Sequence, residues 1–307
     1  MSHPSGADFV LPPPYSGERP PYALGMALSP DGSALAVLYS LSNQPRKEEG
    51  RVRVWSLADR GFRSIPLPKS MDGLCWPYPE LLVAGTAAGA WVIPLDGSDG
   101  RHLPMGTYNT VSAVASLPGG REFVIFSRSV ITMDVERGKL TETEGKTWEL
   151  PYEVVVSPGG DLVATRAAEA YVRVFSRSTR TQLHRIHCSG SCASAFLPDG
   201  RLVVGANAQG RLEILDLASG RLEPVAVVQG ADHTSELAVS PDGRLLAGAW
   251  SQGRTHVGIR IWDLPGGTLR WERTWGGEAL RNLRFTTDGG TLLAAVQFEG
   301  EVLGWRT

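Results

Sequence analysis

Cysteine is scarce: three residues in a chain of 307, an odd and sparse set. A disulfide framework is thereby excluded as the source of the fold, and a reducing, cytoplasmic setting is expected. No apolar run approaches the roughly 18 residues of a membrane span, and the first twenty residues hold neither the basic nor the apolar stretch of a secretory signal. An excess of charge is missing too. Thirty Lys and Arg stand against 32 Asp and Glu, for a net charge of −2. That balance argues against a nucleic-acid surface, because phosphate binding needs clustered basic side chains. There is no G-x-S-x-G elbow and no H-E-x-x-H helix, and the six histidines are scattered. Gly145-Lys146-Thr147 lacks the earlier glycine of a phosphate loop, since Leu140 occupies that place. Asp96-Gly97-Ser98-Asp99-Gly100 lacks the twelve-residue span and closing glutamate of a calcium loop. Neither a cofactor nor a metal is expected. The four potential ligands His184, His187, Cys188 and Cys192 were the nearest approach to a zinc site or a redox pair. Strand alternation puts His184 and Cys188 on one face and His187 on the other, which favours ordinary packing.

What is present is repetition. From Leu237 to Gly267 the chain reads as an apolar run, a Pro241-Asp242-Gly243 turn, a second apolar run, a loop, and a third run ending on Trp262-Asp263. Proline presets φ at the first corner of such a turn and glycine supplies a positive φ. Ile259 and Ile261 alternating with Arg260 give the period of two that marks a strand. One such meander exposes both faces and needs copies of itself. The copies are there. Turns align at Ser29-Pro30-Asp31-Gly32, Trp76-Pro77-Tyr78-Pro79, Leu117-Pro118-Gly119-Gly120, Ser157-Pro158-Gly159-Gly160, Leu197-Pro198-Asp199-Gly200, Ser240-Pro241-Asp242-Gly243 and Thr286-Thr287-Asp288-Gly289. The third runs end on Trp55, Pro94, Met133, Phe175, Leu215, Trp262 and Trp305, spaced by 39 to 47 residues. Seven units of four strands predict an all-β protein, a single seven-bladed β-propeller.

The units run at about 22–68, 70–105, 109–150, 151–188, 191–229, 234–275 and 279–307. The last has only three strands, because two residues follow Trp305. An open edge there would invite aggregation. Residues 7–14, with Asp8-Phe9-Val10-Leu11 at their centre, can supply the missing outer strand, where prolines are tolerated. Ala27, Leu74, Ala115, Val155, Ala195, Ala238 and Arg284 share one position of the innermost strands. Mostly small residues suit a row that converges on an axis, and Arg284 breaks it.

The turns, the strands ending in Trp-Asp and the period near 40 resemble the WD-repeat β-propeller family, best at Val52-Arg53-Val54-Trp55 and Ile259-Arg260-Ile261-Trp262-Asp263. The Gly-His pair of that family is absent, with Asp232-His233 its nearest trace. The resemblance implies a ring without catalysis of its own, serving as a platform for a protein or peptide partner. It also implies that the loops between second and third strands, and between blades, share one face. That face would gather Arg46, Lys47, Tyr108, Asn109, Trp148, Glu149, His187, His233, Trp250, Arg254, His256, Trp275 and Phe298. Exposed tryptophan and arginine there would be the anchors. A second constellation, Asp72, Glu153 and Glu236 with Arg281 and Arg284, would sit at the channel mouth, either as interblade salt bridges or as a site for a small polar ligand or cation. The main expectation is a non-catalytic interaction scaffold. The alternative is a propeller enzyme, a lactonase or other hydrolase using the channel carboxylates.

Overall fold

The computed structural model describes residues 5–14, 21–40, 50–68, 71–86, 88–105, 111, 113–126, 130–142, 153–166, 171–188, 193–205, 211–227, 233–252 and 256–307. They form seven four-stranded antiparallel sheets. Six are meanders in chain order, spanning 22–66, 72–104, 113–142, 153–187, 194–227 and 233–276. The seventh combines Leu280–Phe285, Thr291–Val296 and Val302–Arg306 with Phe9–Leu11 from the other end of the chain. The expected closing strand is therefore in place, with Phe9 opposite Gly304, Val10 opposite Leu303 and Leu11 opposite Val302.

Three of the turns between first and second strands share one set of bonds built by their own sequence. Ser29 Oγ donates to Asp31 Oδ1 at 2.6 Å and accepts from the Ala34 amide at 2.9 Å, while the Gly32 amide donates to the Ser29 carbonyl at 2.8 Å. Ser240-Pro241-Asp242-Gly243 and Thr286-Thr287-Asp288-Gly289 repeat the same bonds. A hydroxyl, a carboxylate and a glycine thus fix the corner locally.

The apolar core lies between blades, as expected when each sheet must bury both faces. Leu38 and Val52 of blade one pack with Leu74 and Leu82 of blade two. Ile259 and Ile261 of blade six meet Leu292 and Trp305 of blade seven. Leu293, Ala295 and Val302 of blade seven, with Leu11, meet Met26, Val37, Tyr39 and Trp55 of blade one. That last cluster closes the ring.

Candidate binding surfaces

The ring has two faces. One carries the short turns just described; the other carries the loops between second and third strands and the links between blades. Of the residues expected on the loop face, Arg46, Lys47, Tyr108, Asn109, Trp148, Glu149 and Arg254 lie outside the described residues. Phe298 is 42% exposed in its loop, with its ring edge-on to Tyr22 at 5.1 Å. His187 is exposed at the end of an outer strand, edge-on to Tyr171 at 5.1 Å. His256 is exposed at the start of Val257's strand, and His233 begins its own.

The two tryptophans require a correction. Trp250 and Trp275 are buried, at 6% and 8% exposure, rather than presented to a partner. The strands Leu245–Gln252 and His256–Asp263 run longer than the sequence suggested, so Trp250 belongs to a ladder, not to a loop. Gly258 pairs opposite it, and a Cβ there would come within 2.7 Å of the indole. The Arg260 guanidinium stacks on the same ring at 4.7 Å. Trp275 lies against Trp305, centroids 6.1 Å apart. The potential zinc ligands also have separate surroundings: His184 Nε2 lies 2.9 Å from the Leu217 carbonyl of the next blade, and Cys188 is a buried thiol donating to the Ile186 carbonyl at 3.8 Å. Cys192 lies outside the described residues.

At the channel mouth a residue that sequence reasoning missed joins the carboxylates. Arg166 ends the second strand of blade four and is buried. Its Nε lies 3.4 Å from Glu153 Oε2 in the same blade, and its Nη2 lies 4.0 Å from Glu236 Oε1 in blade six. Arg281 of blade seven approaches the same Glu236 oxygen at 3.9 Å. A β-bulge between Thr234 and Glu236 takes Ser235 out of the ladder, and Arg166 Nη1 donates to its carbonyl at 3.2 Å. Bulges re-aim side chains; this one offers a carbonyl to an arginine two blades away. Arg166 therefore spans the front of blade five. Arg284 donates to the Leu283 carbonyl at 3.4 Å and adds positive potential near Glu153. Asp72 is not part of this chain of contacts; desolvation alone raises its carboxyl.

Burial pushes the Glu153 carboxyl up from an ordinary 4.5 to about 7, with Arg166 opposing the rise and Glu236 adding to it. Over that interval the folded protein keeps a proton that the unfolded chain has already released. The stability contributed by Glu153 is therefore full below about 4.5 and lost as pH rises through about 7. Urea unfolding at pH 5 and pH 8 is expected to show the wild type losing stability across this window and Glu153→Gln losing markedly less. Equal losses in both proteins would remove Glu153 as the cause.

The turn face holds a feature of its own. A cavity of about 380 Å³ is lined by Pro30, Pro77, Pro118 and Pro158, with Trp76 in its wall. The signal was available in the sequence, because Trp76 stands where the other turns begin with Ser, Thr or Leu.

No family model matches the chain, and no curated protein matches it. Solved structures do: 1557 chains match, a breadth that speaks for a common architecture and not for one activity. One is the β-propeller domain of Cps50 (Swd1) from Myceliophteria thermophila, with a TM-score of 0.71 over 95% of this chain and 98% of that chain. At 17% identity the likeness is one of fold. The seven-bladed architecture implied by the WD-repeat resemblance is the architecture present.

Proposed function

We propose that the protein is a non-catalytic interaction scaffold whose loop face receives a protein or peptide partner. The observation that carries this reading is the state of the channel carboxylates. Glu153 and Glu236 are approached by Arg166 of blade four, and Glu236 also by Arg281 of blade seven. Contacts of Arg166 and Arg281 with Glu236, and of Arg166 with Glu153, tie blades four, six and seven together and serve the ring, whereas an acid–base site needs carboxylates facing a substrate. The shared fold with a Cps50 (Swd1) propeller domain supports the scaffold reading in a general way, since fold does not dictate function. A reducing, cytoplasmic setting belongs to the same proposal and rests on the sparse, odd set of three cysteines.

Site-specific photo-crosslinking tests the face. A photoreactive residue at Phe298, His187 or His256 is expected to capture one defined protein in cells, while the same residue at Asp199 or Asp242 on the turn face captures nothing in common. Capture from the turn face only would move the partner to the opposite side.

The hydrolase reading draws on the surroundings of Glu153, where desolvation pushes the carboxyl up to about 7, the range of a general acid or base. Turnover in a lactone and ester panel that Glu153→Gln abolishes, with the fold retained, would establish it over the scaffold.

A further inference from the structure

We propose that blade one carries a receptor for a polyproline segment, filled here by the chain's own Pro12–Pro14, and that a proline-rich peptide is the partner class this site takes in exchange. The reasoning starts from the segment. Pro12 and Pro13 are each followed by proline, which drives both toward the polyproline II conformation. That helix has no internal hydrogen bonds, and proline has no amide hydrogen to donate, so the segment presents a row of unsatisfied carbonyls.

Arg53 meets that row. Its Nη1 donates to the Pro12 and Pro13 carbonyls, each at 3.0 Å, and its Nη2 donates to the Pro14 carbonyl at 2.9 Å. The guanidinium is held in place from the other side, 4.1 Å above the Phe62 ring and 5.5 Å from the centroid of Trp55. Stacking of this kind pre-organises the planar fork before any ligand arrives. Arg53 itself is only 6% exposed.

A comparison within the molecule separates a receptor from incidental packing. Arg260 occupies the corresponding place in blade six, two residues before the terminal tryptophan, and it too stacks on an indole. There the residue paired across the ladder is Glu272, whose carboxylate accepts from Arg260 Nε at 2.9 Å. In blade one the cross-strand partner is Ser64. With no carboxylate opposite it, the Arg53 fork is left for carbonyl oxygens.

The placement of the segment makes exchange feasible. Ladder pairing of the arm ends at Leu11, so Pro12–Pro14 contribute nothing to the seventh sheet. Pro12 is exposed and Pro13 and Pro14 are half-buried, so an incoming segment can replace them without opening the interblade core. The guanidinium reads backbone carbonyls, and a proline-rich segment offers them with no amide hydrogens of its own to compete for them. The site lies on the seam between blades seven and one and does not depend on the loop-face reading.

The test uses the whole chain with a specific protease sequence introduced between Pro14 and Pro21, cleaved after folding so that the arm is held non-covalently. Labelled peptides of residues 5–14, native or with Pro12–Pro14 changed to alanine, are then titrated by fluorescence anisotropy, and an unlabelled hexaproline is added as competitor. The native peptide is expected to exchange with the arm. The alanine peptide keeps the three carbonyls but loses the fixed φ that pre-sets them, and should bind on the order of tenfold more weakly for that entropic reason. Arg53→Lys, which loses the planar fork and with it charge-assisted bonds, should weaken the native peptide by a similar factor. Hexaproline should displace the proline end and accelerate peptide release. Equal binding of native and alanine peptides overturns the preference for proline and with it the partner class, and native binding unchanged by Arg53→Lys overturns the receptor, leaving strand pairing alone to hold the arm. A hexaproline without effect overturns the partner class. If Arg53→Lys fails to fold, the peptide series on the otherwise unaltered protein decides, because it changes only the ligand. Loop-face crosslinks that fail would leave these outcomes unchanged.

Discussion

Gly267→Ala is expected to destabilise the protein by about 3 kcal/mol, while Gly266→Ala one residue away stays within about 0.5 kcal/mol of wild type. The two glycines share the turn between the third and fourth strands of blade six, yet their surroundings differ. Gly267 has a φ of +66°, which costs any other residue strain, and an added Cβ would collide with the Val225 carbonyl oxygen in blade five. That oxygen belongs to the backbone of a strand and has no rotamer by which to move aside. The blade-six turn must lift off its neighbour. Gly266 has an ordinary φ, and its Cβ would find only Thr268 Oγ1 at 3.8 Å. Urea midpoints of the two single variants decide the matter. Similar losses for both would mean that turn entropy, and not interblade seating, sets the requirement.

Trp305→Ala is expected to cost about 4 kcal/mol, in the upper range for deleting a buried aromatic. Trp305 is 2% exposed within the cluster joining blades six and seven. Its loss removes the ring beside Trp275 and leaves a cavity that rigid strands on both sides fill poorly. It also removes the Nε1 donor that reaches the Ser5 carbonyl at 3.4 Å, one of the bonds that hold the N-terminal arm. Trp305→Phe, which keeps most of the ring, should cost about half as much. Phe298→Ala, at an exposed aromatic, should change stability by less than about 0.5 kcal/mol. Denaturation followed by far-ultraviolet circular dichroism ranks the three. A Trp305→Ala variant as stable as Phe298→Ala would contradict the interblade core.

The architecture was legible because its signals are local. Proline, aspartate and glycine at the turns act within four residues, and the spacing of aromatic strand ends counts the blades. The arm was legible by subtraction, since the last unit lacked a fourth strand. The burial of Trp250 was not, because it depends on how far two strands remain paired, and Gly258 signals the close approach only once their register is known. The channel shows the same divide. Glu153 and Glu236 fall in one row when counted back from their turns, but Arg166 ends a second strand and meets its carbonyl acceptor 69 residues later, at a bulge. Arg53 and Arg260 look identical in sequence; only the cross-strand partner, Ser64 or Glu272, sets their tasks apart.

The arm carries a consequence for how the protein comes into being. Phe9 leaves the ribosome well before its partner Gly304, which is 295 residues further along. The strand Phe9–Leu11 must therefore wait, unpaired, while six complete blades and most of the seventh are built. Throughout that interval Asp8, Phe9 and Leu11 have no sheet to join, and the apolar flank of blade one that will meet blade seven stays open to solvent. Loop closure over such a distance is slow, and a nascent chain in this state offers an unfilled edge to neighbouring chains or to chaperones. Completion of the ring is thus coupled to synthesis of the strand Val302–Arg306, with a strand made nearly three hundred residues earlier held in reserve for it.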